Sequence, residues 1–476
     1  MSELPLHFQT LSELSGRIRS GELSPVKLTE HFLERMSRLD GRLNAFRLNL
    51  AGRALAEARA AEQAIRAGVD LGPLHGLPYA AKDLYDVKGY PTTAGSKVLE
   101  NNIAHDDSAP TRKLAQAGMI LLGKTNTVEF AYGGVGINHS HGTPHNPWHK
   151  VAHAPGGSSS GSGVSVAAGL APMALGTDTG GSVRIPAALC GTVGLKTTVG
   201  RISRAGIYPL SFSLDSVGPL ARSVEDAALV YQHLQGEDAA DETTRGISPH
   251  NVLARLKAGV KGLRLAFAET VFFDAADAEV AQAVREAGRV LAGLGAHVES
   301  LAFPEAAEAA KLNPRGLVIA AEAYSVNQKW LEERFSDLDP VVGQRMMNGK
   351  TIPAWEYFAK TRRWSELRRD ALDSLRYVDA LLVPTAPLPA LPVKELDADV
   401  ETYFTRNAQY LRNAAIGNIL NFCGLSVPCG FTAKGLPIGL MIYGKPFQED
   451  VVLRVGHAYE QATEWHKRQP DLSWAG

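Results

Sequence analysis

Cysteine is scarce in this chain of 476 residues: there are three, Cys190, Cys423 and Cys429, an odd set that cannot pair fully within one molecule. Each lies in an apolar stretch, so they read as buried thiols of a reducing compartment, and the protein is expected to be cytoplasmic. Net charge is nearly absent as well, because 49 basic and 50 acidic residues leave −1 at pH 7. Such a balance offers no broad attraction to nucleic acid or anionic lipid, and neither is expected as a partner. No apolar run has the length to span a bilayer. The opening Met1-Ser2-Glu3-Leu4-Pro5 lacks the basic-then-apolar order of an export leader. Low-complexity linkers, fixed-period repeats and abrupt charge shifts are also missing, so although the length allows about two to four domains, nothing in the composition divides the chain. A hydrophobic content of 45% is enough to bury a large core.

The most informative stretch runs from Ala154 to Pro186. It opens Ala-Pro-Gly-Gly-Ser-Ser-Ser-Gly-Ser-Gly and closes Gly-Thr-Asp-Thr-Gly-Gly-Ser-Val-Arg-Ile-Pro. Alone, a Gly/Ser run reads as a flexible linker. Here it is followed at once by Val164 to Leu170, a small-residue pattern suited to a closely packed helix, and then by Met173-Ala174-Leu175, a strand candidate. Linkers do not alternate with core segments in this way. A backbone of glycines lets N–H groups converge on one point, as an oxyanion hole requires, and the Ser182 hydroxyl stands beside them. Upstream, Gly76-Leu77-Pro78-Tyr79-Ala80-Ala81-Lys82-Asp83 supplies a lysine with an apolar flank.

Together these motifs resemble the amidase signature family, serine hydrolases that cleave amide and related bonds. The resemblance implies that Ser182 attacks the carbonyl, Ser158 bridges by hydrogen bonds, and Lys82 accepts the proton and returns it to the leaving group. Ser158 is the bridging serine because positions 158 and 182 are 24 apart, as in the family. A cis peptide bond is expected before it, at Gly157. Lys82 must be neutral at rest, which calls for burial. The backbone N–H groups of Thr179, Gly180, Gly181 and Ser182 would form the oxyanion hole. Ser159 is expected to hydrogen-bond within its loop, and Asp178 and Arg184 to brace the turn. No metal and no cofactor is implied.

Three rival motifs carry less. Gly118 to Thr125 satisfies the Walker A pattern, but its four middle residues are bulky and apolar, a buried strand rather than a phosphate cradle. His139, His141, His145, His149 and His153 could mimic metal ligands, yet Pro144, Pro147 and Pro155 break any helix that would align them. His75 beside the lysine motif is the one tempting partner for a Ser-His-Asp triad, and no nucleophile elbow supports it.

Residues 11–67 carry helical periodicity, with Ser24-Pro25 starting a helix through Arg35. Helices are also predicted over Val224–Leu234 and Ala278–Leu294, after caps at Ser223 and Asp277. Strands are predicted at Met119–Gly123, Ala171–Leu175, Leu263–Ala266, Ala380–Pro384, Leu425–Gly430 and Ile438–Tyr443. Alternation of this sort favours an α/β/α sandwich around a single mixed β-sheet, which is the family's fold. The resemblance spans almost the whole chain and implies one amidase domain over 1–476: a helical segment at 1–68, catalytic motifs in 72–230 and a pocket segment near 312–425. Within that segment Tyr324, Trp330, Met346, Met347, Trp355, Tyr357 and Phe358 are candidates for lining the pocket, and Ala131, Tyr132 and Phe212 are better ones.

The reading is an amidase acting on a small-molecule amide, carbamate (urethane) or ester, as a monomer or homodimer. Its rival within the family is the amidase subunit of the glutamyl-tRNA amidotransferase, echoed by Ser96 to Asn101 and Gly123 to Asn126. Thr127 to Tyr132 and the added histidines depart from that subunit's pattern. A non-catalytic binding protein on the same fold is the reading from another class.

Overall fold

The computed structural model describes residues 4–313 and 316–476. Met1 to Glu3, part of the opening segment read above, lie outside the described residues, as do Pro314 and Arg315 of the expected pocket segment.

Among the described residues, eleven strands form one sheet: β1 (Phe46–Asn49), β2 (Pro78–Lys82), β3 (Ile120–Thr125), β4 (Met173–Asp178), β5 (Val193–Lys196), β6 (Ser216–Ala221), β7 (Arg264–Ala268), β8 (His297–Leu301), β9 (Ala380–Pro384), β10 (Cys423–Phe431) and β11 (Pro437–Gly444). Their order is β1-β3-β2-β4-β6-β5-β10-β11-β9-β7-β8. β2 runs parallel to β3 and β4, and β7 parallel to β8 and β9, while the pairs linking these groups are antiparallel. The sheet is therefore mixed.

Successive strand residues point to opposite faces, and here both faces are covered. On β9, Leu382 enters one apolar cluster and Leu381 and Val383 the other. On β11, Leu440 and Ile442 join the first cluster, Met441 and Tyr443 the second. Helices supply the outer walls of both, which makes the fold an α/β/α sandwich.

Capping chemistry sets the helix starts. The Ser24 hydroxyl accepts the Lys27 N–H ahead of a helix over Pro25–Leu43, longer than expected and closed by Asn44 in the left-handed region. Ser223 caps Val224–Leu234, and Asp277 caps Ala278–Gly293. The expected helical stretch is interrupted by β1, whose four residues pair with β3 at the sheet edge. β2, β5, β6 and β8 were not expected. β2, β5 and β6 are short and include Ala, Gly or Pro, and β8 is a short, mostly polar His-Val-Glu-Ser-Leu, so pairing rather than propensity makes them strands. Gly218 on β6 shows the tightness of that pairing, since a Cβ there would overlap the Leu195 carbonyl oxygen of β5.

Because β2 and β4 are parallel neighbours, paired Ala80 with Ala174 and Ala81 with Leu175, their carboxyl ends emerge together. Lys82 ends one strand and Asp178 the other. Loops beyond the carboxyl ends of parallel strands are where such sheets hold ligands.

Candidate active site

Lys82 is fully buried at the end of β2. Its Nζ donates to Ser158 Oγ at 2.7 Å and to Thr177 Oγ1, on β4, at 2.8 Å. Burial pushes the amine down from its ordinary 10.5 to about 7, against the opposing pull of the Asp215 and Asp178 charges. Both partners are hydroxyls that can donate to a neutral amine or accept from it.

The Gly157–Ser158 peptide bond is cis. The Ser158 carbonyl accepts from Thr127 Oγ1 at 2.9 Å and from the Val128 N–H at 3.2 Å. A helix over Ser160–Ala167 follows at once, and Gly161 in its first turn lies so close to the Ala45 and Asn126 backbone that no side chain would fit. Ser159 bonds outside its own loop: its N–H reaches the Ser182 carbonyl at 3.2 Å, and its hydroxyl exchanges 3.3 Å bonds with the Thr177 carbonyl and N–H. The serine loop and the Ser182 turn are thereby held side by side.

That turn is built around Asp178, whose carboxylate accepts the Gly181 N–H at 2.9 Å and the Val183 N–H at 3.1 Å. Arg184 grips the same carboxylate at 3.0 and 2.9 Å, and Asn418 Nδ2 adds a bond at 2.9 Å. Arg184 also donates to the Tyr443 hydroxyl at 2.7 Å and to Asn418 Oδ1 at 2.6 Å. Burial disfavours the Asp178 charge, but the guanidinium more than offsets it and holds the carboxyl well below the usual carboxylate range. Gly181 sits at a φ of 129°, a conformation side chains resist, and its N–H is already committed to Asp178. Thr179 Oγ1 donates to Asp215 at 2.5 Å, while Asp215 also accepts the N–H groups of Leu210 and Ser211 at 2.9 Å. Ser182 is 4% exposed.

A cavity of about 360 Å³ opens beside Thr177, lined by Leu84, Ala131, Tyr208, Phe212 and Asp215 among others. Phe212 is 59% exposed at this cavity. Tyr132 is buried instead, its ring 4.0 Å from the Arg345 guanidinium and its carbonyl taking an Arg345 bond at 2.5 Å. Of the pocket-segment candidates, Trp355 and Phe358 lie on the outside, 73% and 66% exposed, and Met346 is core. Thr177, Asp215, Tyr443 and Asn418 were not singled out from the sequence. The Gly-Thr-Asp run entering the turn was the available signal for Thr177 alone.

The rival motifs resolve into structure. The Walker-like stretch runs into β3, whose six residues are all buried, and its Lys124 bonds Asp83 at 2.6 Å. His139 lies between Asp339 at 2.7 Å and Asp397 at 3.0 Å, while His145 and His153 bond the backbone carbonyls of His149 and Val151. His75 takes the Leu71 N–H at 3.4 Å in the loop before β2. Among the described residues, no group of three or more His, Cys, Asp or Glu is arranged to hold a metal, and no helix is long and apolar enough to cross a membrane.

A family model described as Amidase matches residues 27–453. The glutamyl-tRNA(Gln) amidotransferase A-subunit of Gloeobacter violaceus is 38% identical over 98% of both chains. Among solved structures, the native peptide amidase of Stenotrophomonas maltophilia superposes with a TM-score of 0.84 at 31% identity, over 98% of this chain and 100% of that one. A structure described as a vestigial protein complex revealing the origins of an s-triazine catabolic enzyme gives 0.88 at 32%, over 95% and 98%. The amidotransferase relatives overturn one expectation, that of a small-molecule substrate alone, no nucleic acid and a monomer or homodimer. Those relatives, matched nearly end to end, are by name subunits of a larger enzyme that acts on a glutamyl-tRNA. Net charge misled because it averages over the surface and is blind to a protein partner. With the family model covering most of its length and these relatives nearly all of it, the chain belongs to the amidase signature family of amide-hydrolysing enzymes.

Proposed function

We propose that this protein cleaves a carboxamide C–N bond through an acyl-enzyme on Ser182. The observation that carries the reading is the buried Lys82 amine 2.7 Å from Ser158 Oγ, a base that burial leaves about half neutral at pH 7 and neutral above it. Ser158 passes the Ser182 proton to Lys82, the Ser182 oxygen attacks the carbonyl, and the proton returns through Ser158 to the departing nitrogen. Free N–H groups of Thr179, Gly180 and Ser182 stabilise the oxyanion, while Gly181, with its N–H on Asp178, shapes the turn. Water then hydrolyses the ester. Asp178, Arg184 and Ser159 hold these parts in register, and the single sheet supports one catalytic domain.

The relatives named for the glutamyl-tRNA(Gln) amidotransferase support a first reading, in which the released ammonia serves a multi-subunit amidotransferase in the cytoplasm. The peptide amidase neighbour supports a second, in which the acyl group of a simple amide or carbamate occupies the cavity at Ala131 and Phe212.

Fluorophosphonate labelling followed by peptide mass spectrometry tests the mechanism. The adduct is expected on the peptide holding Ser182, and Lys82→Ala or Ser158→Ala should slow labelling about 10²-fold or more. An adduct on Ser158, or near wild-type rates in either variant, would overturn it. Ammonia release from glutamine, aliphatic amides and aryl carbamates, with and without co-purified partner proteins, separates the two readings.

A further inference from the structure

A lysine followed directly by an aspartate would, in a dry site, be expected to form an ion pair, and a paired Lys82 would stay charged and useless as a base. The sheet prevents this. Lys82 stands opposite Thr125 of β3 and Ala81 opposite Lys124, so strand alternation sends Lys82 and Thr125 to one face and Asp83 and Lys124 to the other. On the first face Thr125 Oγ1 meets Ser162 Oγ of the helix after the serine loop, at 2.8 Å, and Lys82 meets Ser158 and Thr177. On the second, Lys124 Nζ spends its three donors on Asp83 Oδ1 at 2.6 Å, the Pro91 carbonyl at 2.6 Å and Thr92 Oγ1 at 2.9 Å. Thr93 gives Asp83 Oδ2 both its hydroxyl and its N–H. Lys124 and Asp83 are buried, at 0% and 2% side-chain exposure.

Resting on the reading of Lys82 as the base, we propose that Lys124 is a positioning residue whose cation holds and neutralises the Asp83 carboxylate, leaving Lys82 without an ion-pair partner. The groups around the pair are few. Lys82 feels Asp215 and Asp178, the latter gripped by Arg184. Asp86 and His141 stand near Asp83 and sense its charge. None of them donates a hydrogen bond to the Asp83 carboxylate in place of Lys124.

The test is the pH dependence of fluorophosphonate labelling at Ser182 in the full-length protein, which needs no knowledge of the substrate. Lys124→Met strips Asp83 of its counter-charge and should move the acid-limb midpoint up by about one pH unit, with the rate recovered at alkaline pH. Asp83→Asn leaves Lys124 as an unbalanced cation and should move the midpoint down by about as much. The double variant Asp83→Asn/Lys124→Met should return it to the wild-type position, and it keeps the test alive if a single variant fails to fold. A merely structural pair would slow all three without opposite displacements. Unchanged midpoints in the folded singles, shifts of the same sign, or a displaced midpoint in the double variant would overturn the proposal. Labelling of Lys82→Ala at the wild-type rate would instead overturn the reading beneath it.

Discussion

Replacing Lys82 with methionine should stabilise the protein while silencing it. Burial pushes this amine from 10.5 to about 7, and at about 1.4 kcal/mol per unit that is a folding penalty of about 5 kcal/mol. The penalty is complete below the folded value, where the folded state must hold a buried charge. Above it the folded amine is neutral while the unfolded one stays protonated, so the unfolded chain binds the extra proton and stability rises with pH until the penalty vanishes near 10.5. At pH 9 about 2 kcal/mol of it should remain. Methionine removes the penalty but also the bonds to Ser158 and Thr177, together worth about 2 kcal/mol. The variant should therefore gain about 3 kcal/mol at pH 6 and about nothing at pH 9, while its fluorophosphonate labelling collapses at both. Urea unfolding of both proteins at the two pH values reads the difference directly. A gain that is equal at pH 6 and pH 9, or a loss at pH 6, would refute the depressed amine on which the mechanism depends.

Arg184→Met removes the guanidinium from the buried Asp178 and should cost about 3 to 5 kcal/mol, with a fall in melting temperature and in turnover; an unchanged melting temperature would show the turn is held otherwise. Burial pushes Asp226 up to about 7 and Glu460 up to about 8, so folding holds extra protons and stability should fall as pH rises from about 4 through 8. Asp226→Asn should then stabilise by about 4 kcal/mol at pH 8.5 and have little effect below pH 4, as melts across that range would show. The hydrogen bond to Asp339, with help from Asp397, pushes His139 up to about 9, so its contribution is complete below about pH 6.5 and is lost as pH rises through 9. His139→Leu should lower stability by about 1 kcal/mol at pH 6 and by much less at pH 10, measured by the same melts.

The amino-acid sequence carried the parts of this protein whose physics is local. Ser223, Asp277 and Ser24-Pro25 marked helix starts because a cap needs only a side chain and an N–H two or three residues away. The glycines and serines of 154–163 and the turn at 178–184 could be named because a tight approach of backbone leaves no choice of residue type. Continuous apolar runs disclosed β9 and β11, which are covered on both faces, and alternation of apolar residues disclosed β10. Tertiary structure decided what depends on register. Five short strands, β1, β2, β5, β6 and β8, exist because partners pair with them. Thr177 reaches Lys82 because β2 and β4 run parallel and end together. Lys124 belongs to Asp83, and Lys82 to Ser158, because alternation along β2 and β3 sends neighbours in the chain to opposite faces of the sheet. Which residues share a face follows from pairing across strands distant in sequence, and no window along the chain contains that information.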